Sequence, residues 1–119
     1  MKALRVLVME DDPLIGMLLA ELLEEAGYDV CAIVATEAGA VAAALRCRPD
    51  LMIVDVGLGD GSGVSAVEKI SRTLSIPHVF MSGERVQTPR PDAVFLQKPF
   101  SEPDLVRAIQ RVLGPAVTS

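Results

Sequence analysis

A chain of 119 residues, half of them hydrophobic and with a net charge of −5, is sized for one domain whose core needs neither disulfides nor a structural metal. The negative charge argues against a nucleic-acid-binding surface, because phosphate backbones are held largely through clustered Lys and Arg. Glu21, Glu24 and Glu25 interrupt the richest apolar stretch, so no run approaches the roughly 20 residues of a membrane helix.

Residues 4–9 are apolar apart from Arg5, as expected of a parallel strand covered on both faces. The run ends in Glu10, Asp11 and Asp12; it is too short and too soon acidic for a secretory leader, and the expected location is cytoplasmic. Asp12 and Pro13 open the first helix as N-cap and first helical residue. Its predicted apolar stripe is Leu14, Ile15, Met17, Leu18, Leu22 and Leu23, and Gly27 closes it. A second strand is predicted over 28–34 and an Ala-rich second helix over 37–47, with Val41 and Leu45 on one face. Cys31 and Cys47 fall one in each and read as ordinary reduced thiols. Strand three, 51–54, runs into Asp55, and the glycines at 57, 59, 61 and 63 read as a flexible loop before a helix of about 64–74. Strand four, 77–81, is followed by Ser82 and Gly83, and strand five, 93–97, by Lys98 and Pro99. The last helix opens at Ser101, with Asp104 completing a capping box and Phe100 and Leu105 a hydrophobic staple, and ends at Gly114 and Pro115. The domain core is expected over about 3–114, with 115–119 as a tail.

Alternating strands and helices predict an α/β fold, a doubly wound five-stranded parallel sheet of flavodoxin-like order 2-1-3-4-5. Ligands bind such sheets at the carboxyl ends of the strands, where the order reverses. Asp11 and Asp55 then face each other across the crevice between strands one and three.

Asp12 is explained as a helix cap, whereas Glu10 and Asp11 add like charge that calls for compensation by a divalent cation. Magnesium suits so sparse a carboxylate set better than calcium, with manganese as the alternative ion. A carboxylate such as Asp55 beside that cation stays ionised and can accept a phosphoryl group. Lys98, restrained by the proline after it, would offer a point charge for phosphate, and Ser82 a hydroxyl. His78 is the only histidine, and it lies away from the carboxylates, so a His-dependent triad or a zinc site lacks its parts. Neither a G-x-x-x-x-G-K-[ST] loop nor a G-x-G-x-x-G turn follows strand one.

Over essentially its full length the chain resembles the receiver domain of two-component response regulators. The resemblance rests on Val8-Met9-Glu10-Asp11-Asp12-Pro13-Leu14, Asp55-Val56-Gly57-Leu58 with Gly63 beyond, Ser82-Gly83, and Lys98-Pro99-Phe100. It implies that Asp55 accepts phosphate from a histidine kinase or histidine phosphotransfer protein and that Glu10, Asp11, Asp55 and the Gly57 carbonyl hold the magnesium. It also implies that Ser82 and Lys98 engage the phosphoryl group, that Phe95 is the aromatic switch residue, and that the Lys98-Pro99 bond is cis. Such a protein relays a signal to a partner as a monomer or weak dimer; it is a phosphoacceptor that assists its own phosphorylation and dephosphorylation rather than a dedicated turnover enzyme.

Two positions depart from the family pattern. Gly59 stands where receivers often carry proline, four residues after the acceptor, which leaves the loop freer. Between Gly83 and Asp92, with prolines at 89 and 91, there is room for one helical turn at most where receivers carry a helix. That shortening resembles stand-alone single-domain receivers, whose strand-four motif is matched in part by Pro77, Phe80 and Gly83. Two other classes compete: a receiver-like binding module without phosphotransfer, and a magnesium-dependent phosphohydrolase. The second normally shows a further aspartate two residues after its nucleophile, where this chain has Gly57.

Overall fold

Each apolar run becomes a strand of one parallel sheet. The computed structural model describes residues 3–83 and 93–114. Its elements are β1 (Arg5–Met9), α1 (Pro13–Glu25), β2 (Asp29–Val34), α2 (Glu37–Cys47), β3 (Leu51–Asp55), α3 (Gly63–Ser71), β4 (His78–Ser82), β5 (Phe95–Gln97) and α4 (Glu102–Leu113). The strand order is β2-β1-β3-β4-β5 and every neighbouring pair is parallel, as predicted. Because β1 has β2 on one side and β3 on the other, the order reverses at β1, and the crevice opens above the ends of β1 and β3.

Side chains alternate across the sheet and divide the core in two. Val6, Val8, Ile53, Val79 and Met81 pack with Leu19 and Leu23 of α1 and Leu105 and Ile109 of α4. Leu7, Met9, Met52, Val54 and Phe80 pack with the alanines of α2 and with Ala66, Val67 and Ile70 of α3. Residues 6–9 and 51–54 are buried on both faces, which is why they read as unbroken apolar runs.

Two helix faces differ from the predicted ones. On α1 the residues turned inward are Gly16, Leu19 and Leu23, while Leu14, Met17 and Leu18 are exposed. Gly16 faces the sheet edge, where a Cβ would stand 3.1 Å from the Ile33 side chain. On α2 the buried face is Ala40, Ala43, Ala44 and Cys47, with Val41 half-buried and Leu45 exposed. Those alanines pack against Leu7, Met9, Met52 and Val54 of the sheet, so the buried face of α2 is the one with the small side chains rather than the one with its largest apolar residues.

The caps follow the sequence. Asp12 accepts from the N–H groups of Leu14 and Ile15 at 2.9 and 3.2 Å. Ser101 and Asp104 form the reciprocal capping box, and Phe100 packs on the same cluster as Leu105. The Lys98-Pro99 bond is cis. Strand four ends one residue later than predicted, because Ser82 still pairs in register with Gln97. Helix α3 stops at Ser71, where Thr73 and Leu74 both donate back to the Ile70 carbonyl.

Both cysteines are free. Burial first, and then a hydrogen bond with Cys47, push the Cys31 thiol up to about 11, which leaves it protonated and unreactive at neutral pH. Of the segment expected to hold at most one helical turn only Gly83 is described; residues 84–92 and the tail 115–119 lie outside the described residues. Among the described residues no helix is long and apolar enough to cross a membrane.

Candidate functional site

The carboxylates gather where the chain leaves β1 and β3. Glu10 is pinned by its N–H, which donates to the Val34 carbonyl at 2.8 Å, and the residue is only 2% exposed. Its Oε2 accepts from the Asp12 N–H at 3.1 Å. Asp55, the last residue of β3, is 8% exposed and accepts the Gly57 N–H on Oδ1 at 3.1 Å. Asp11 is exposed, and carboxylate oxygens of Glu10, Asp11 and Asp55 all lie within 4.8 Å of one another.

Lys98 enters from the far side of the crevice. Its N–H donates to the Ser82 carbonyl at 2.8 Å, which ties the residue to the end of β4. Its ammonium donates to Glu10 Oε1 at 2.6 Å and to Asp55 Oδ2 at 2.8 Å. Burial by itself would lower the Lys98 pKa, but the bonds to Asp55 and Glu10 outweigh it and raise the pKa. For Glu10 burial is the largest influence; it raises the carboxyl above its usual range against the lowering pull of Lys98.

Three clustered carboxylates, two of them paired with one ammonium, leave an excess of negative charge in a partly buried crevice. Hard oxygen donors from two strand ends, with solvent on the Asp11 side, fit a magnesium-type ion that keeps some of its waters. Asp12 stands apart from this set, since its carboxylate caps α1.

Ser82 is 6% exposed at the end of β4. Phe95, opposite Phe80 in the β4–β5 ladder, stacks on its ring with centroids 5.3 Å apart and planes at 26°. Gly63 opens α3 against the end of β3, where a Cβ would collide with the Asp55 carbonyl oxygen and the Val54 side chain. Only glycine lets α3 start there.

The glycine loop is held more firmly than the sequence suggests. The Gly59 N–H, which a proline would lack, donates to the Ala35 carbonyl at 3.2 Å, and the Glu37 N–H donates to the Asp60 carbonyl at 2.9 Å. Glu37 was not singled out by the sequence; its only local signal is an acid following the N-cap Thr36.

The profile of the response regulator receiver domain matches residues 6–110. The chain belongs to that family. Receivers of this family typically bind magnesium and act in two-component signalling. The chain is 37% identical over 117 residues to the phyllosphere-induced regulator PhyR of Methylorubrum extorquens, covering 93% of this chain and 44% of that protein. It is 38% identical over 113 residues to the transcriptional regulatory protein PdtaR of Mycobacterium tuberculosis, covering 89% of this chain and 55% of that protein. This receiver thus spans about half the length of these curated relatives. The crystal structure of the response regulator PhyR from Brucella abortus superposes with a TM-score of 0.86 at 32% identity, over 93% of this chain and 48% of that one.

Proposed function

We propose that this receiver accepts a phosphoryl group on Asp55 from the phosphohistidine of a histidine kinase or histidine phosphotransfer protein, in the cytoplasm, and switches conformation to control a partner protein. The observation that carries this reading is the Asp55 carboxylate: nearly buried at a strand end, oriented by the Gly57 N–H, and faced by the Lys98 ammonium at 2.8 Å. In the transfer the donor's P–N bond breaks, its electron pair returns to the imidazole, and a carboxylate oxygen of Asp55 forms the new O–P bond of an acyl phosphate. Magnesium held by Glu10, Asp11, Asp55 and the Gly57 carbonyl would offset charge on the carboxylate and the incoming phosphoryl oxygens.

Lys98 holds two carboxylates before transfer, and phosphorylation offers its ammonium new anionic oxygens. The Ser82 hydroxyl, on the neighbouring strand end, takes another phosphoryl oxygen, and the move is passed to Phe95 in the β4–β5 ladder. The receiver is a phosphoacceptor that assists its own phosphorylation and dephosphorylation, not a dedicated turnover enzyme. A protein donor is supported by the exposed apolar residues Leu14, Met17 and Leu18 of α1, the last of which lines a groove of about 450 Å³ with Ile15, Leu22, Lys98 and Phe100. Apolar surface of that kind beside a reactive carboxylate suits docking of another protein.

The test is phosphorylation by a small acyl phosphate or by the kinases of the host, followed by intact mass. One phosphoryl group is expected, released by hydroxylamine and absent from Asp55→Asn. Label that resists hydroxylamine, or that persists in Asp55→Asn, overturns the reading.

A further inference from the structure

A second carboxylate network lies between the start of α2 and the β3–α3 loop. Glu37 is the first residue of α2, yet among the described residues its side-chain partners belong to the loop and to α3. Oε1 accepts the Ser62 N–H at 3.0 Å, and Oε2 accepts the Ser65 hydroxyl at 2.8 Å and an ion pair from Lys69. The side chain is 14% exposed. Gly61 has φ +91°, and a Cβ there would overlap the Glu37 carboxyl, so the loop is shaped to let this side chain lie against its backbone.

The loop segment that Glu37 holds lies across from the one that orients the acceptor. Ser62 caps α3 through Ser65 and pairs with Gly57 across the loop in an isolated bridge. Gly57 donates its N–H to Asp55 Oδ1 at 3.1 Å. The path from Glu37 to the acceptor therefore runs through Ser62 and Gly57 to Asp55, its middle step being a bridge closed by the flanking 3.0 Å bond from the Gly63 N–H to the Val56 carbonyl. An acid at a helix start ordinarily complements the N–H groups and dipole of its own helix. Glu37 instead spends its carboxylate on another element.

We propose that Glu37 is a positioning residue for the acceptor site, fixing the loop so that Asp55 and Gly57 are preset for a divalent cation and for phosphoryl transfer. The proposal rests on the acceptor role assigned to Asp55 above. Neither the cation nor the phosphoryl group touches Glu37; its effect is on how often the site is found in binding geometry.

Magnesium affinity by titration and the rate of phosphorylation by acetyl phosphate at subsaturating magnesium test it, with circular dichroism reporting the fold. Glu37→Ala is expected to weaken magnesium binding about tenfold and to slow phosphorylation in proportion. Glu37→Gln keeps the length and an oxygen for the Ser62 N–H, and is expected to stay near the parent. Glu37→Asp keeps the charge at the start of α2 but draws the carboxylate away from Ser62, and is expected to fall toward Glu37→Ala. A role confined to the helix start would give the opposite order, with Asp near the parent and Gln impaired, and would overturn the proposal. So would a folded Glu37→Ala with the parent's magnesium affinity and rate; if that variant does not fold, the order of Asp and Gln decides. A parent protein that neither binds magnesium nor takes phosphate on Asp55 overturns the acceptor reading itself, and the role of Glu37 with it, whereas a competent parent with an indifferent Glu37 overturns only the latter.

Discussion

The Lys98 ammonium stands 2.8 Å from Asp55 Oδ2 while also holding Glu10 Oε1 at 2.6 Å. One cation thus links the ends of β1 and β3 from its anchorage beside β4, and any anionic group arriving on Asp55 competes for it. Lys98→Ala leaves Glu10 buried without its ammonium, and a stability loss of about 1–3 kcal/mol is expected, read by urea denaturation without magnesium. The variant is expected to fold and still to bind beryllofluoride, but with smaller amide chemical-shift changes along β4 and β5 than the parent. Shift changes equal to the parent's would remove Lys98 from the switching role.

Asp11 is the exposed member of the acidic trio. Removing it costs no buried contact and relieves repulsion among like charges. Asp11→Ala is therefore expected to lose magnesium binding, by more than the roughly tenfold that loss of an outer-shell partner costs, while its cation-free stability equals or exceeds the parent's. Titration paired with denaturation checks both halves, and unchanged affinity would refute the assignment of Asp11 to the cation.

The site residues were legible because fully covered parallel strands read as unbroken apolar runs, so the residue after each run can be named: Glu10 after Met9, Ser82 after Met81, Lys98 after Gln97. The rotation of α1 was not legible, since six apolar residues span too much of its circumference and the helix turns Gly16, a residue with no side chain to signal burial, toward the sheet with Leu19 and Leu23. The Ala face of α2 was missed for a related reason: hydrophobic rank favours Val41 and Leu45, whereas the face packed on the sheet carries Ala40, Ala43 and Ala44. Glu37 was hidden because its partners Ser62 and Ser65 are 25 and 28 residues away in sequence. No local pattern announces a bond of that span.

The Glu37 network also predicts an acid limb. The Lys69 ammonium first, then the Ser62 N–H and the Ser65 hydroxyl, lower the Glu37 carboxyl from 4.5 to about 2. A carboxylate whose pKa is lower folded than unfolded contributes stability above its unfolded pKa, and that contribution fades as pH falls toward the folded value. The difference in stability between the parent and Glu37→Gln is thus expected to be constant above about pH 5 and to shrink between pH 4.5 and about 2. Denaturant midpoints across that window measure it. A difference that does not change with pH would show that the ionised form of Glu37 adds nothing to the fold.

Gly63 provides the sharpest steric test. A methyl group at this position would run into the Asp55 carbonyl oxygen and the Val54 side chain. The first is backbone of a central strand, and the second belongs to the packed cluster beneath α2 and α3, so neither can yield as a flexible surface side chain would. Gly63→Ala must push the start of α3 away from β3, at a cost of about 1–3 kcal/mol for an overpacked contact. The same displacement breaks the 3.0 Å bond from the Gly63 N–H to the Val56 carbonyl and disturbs the turn that carries Gly57. Slower phosphorylation of Asp55 is therefore expected together with the lower stability. Urea denaturation and the acetyl phosphate rate, measured on the same preparation, check the pair. A Gly63→Ala protein as stable as the parent would mean that α3 shifts freely, and the close packing of α3 on β3 would not be what positions the acceptor.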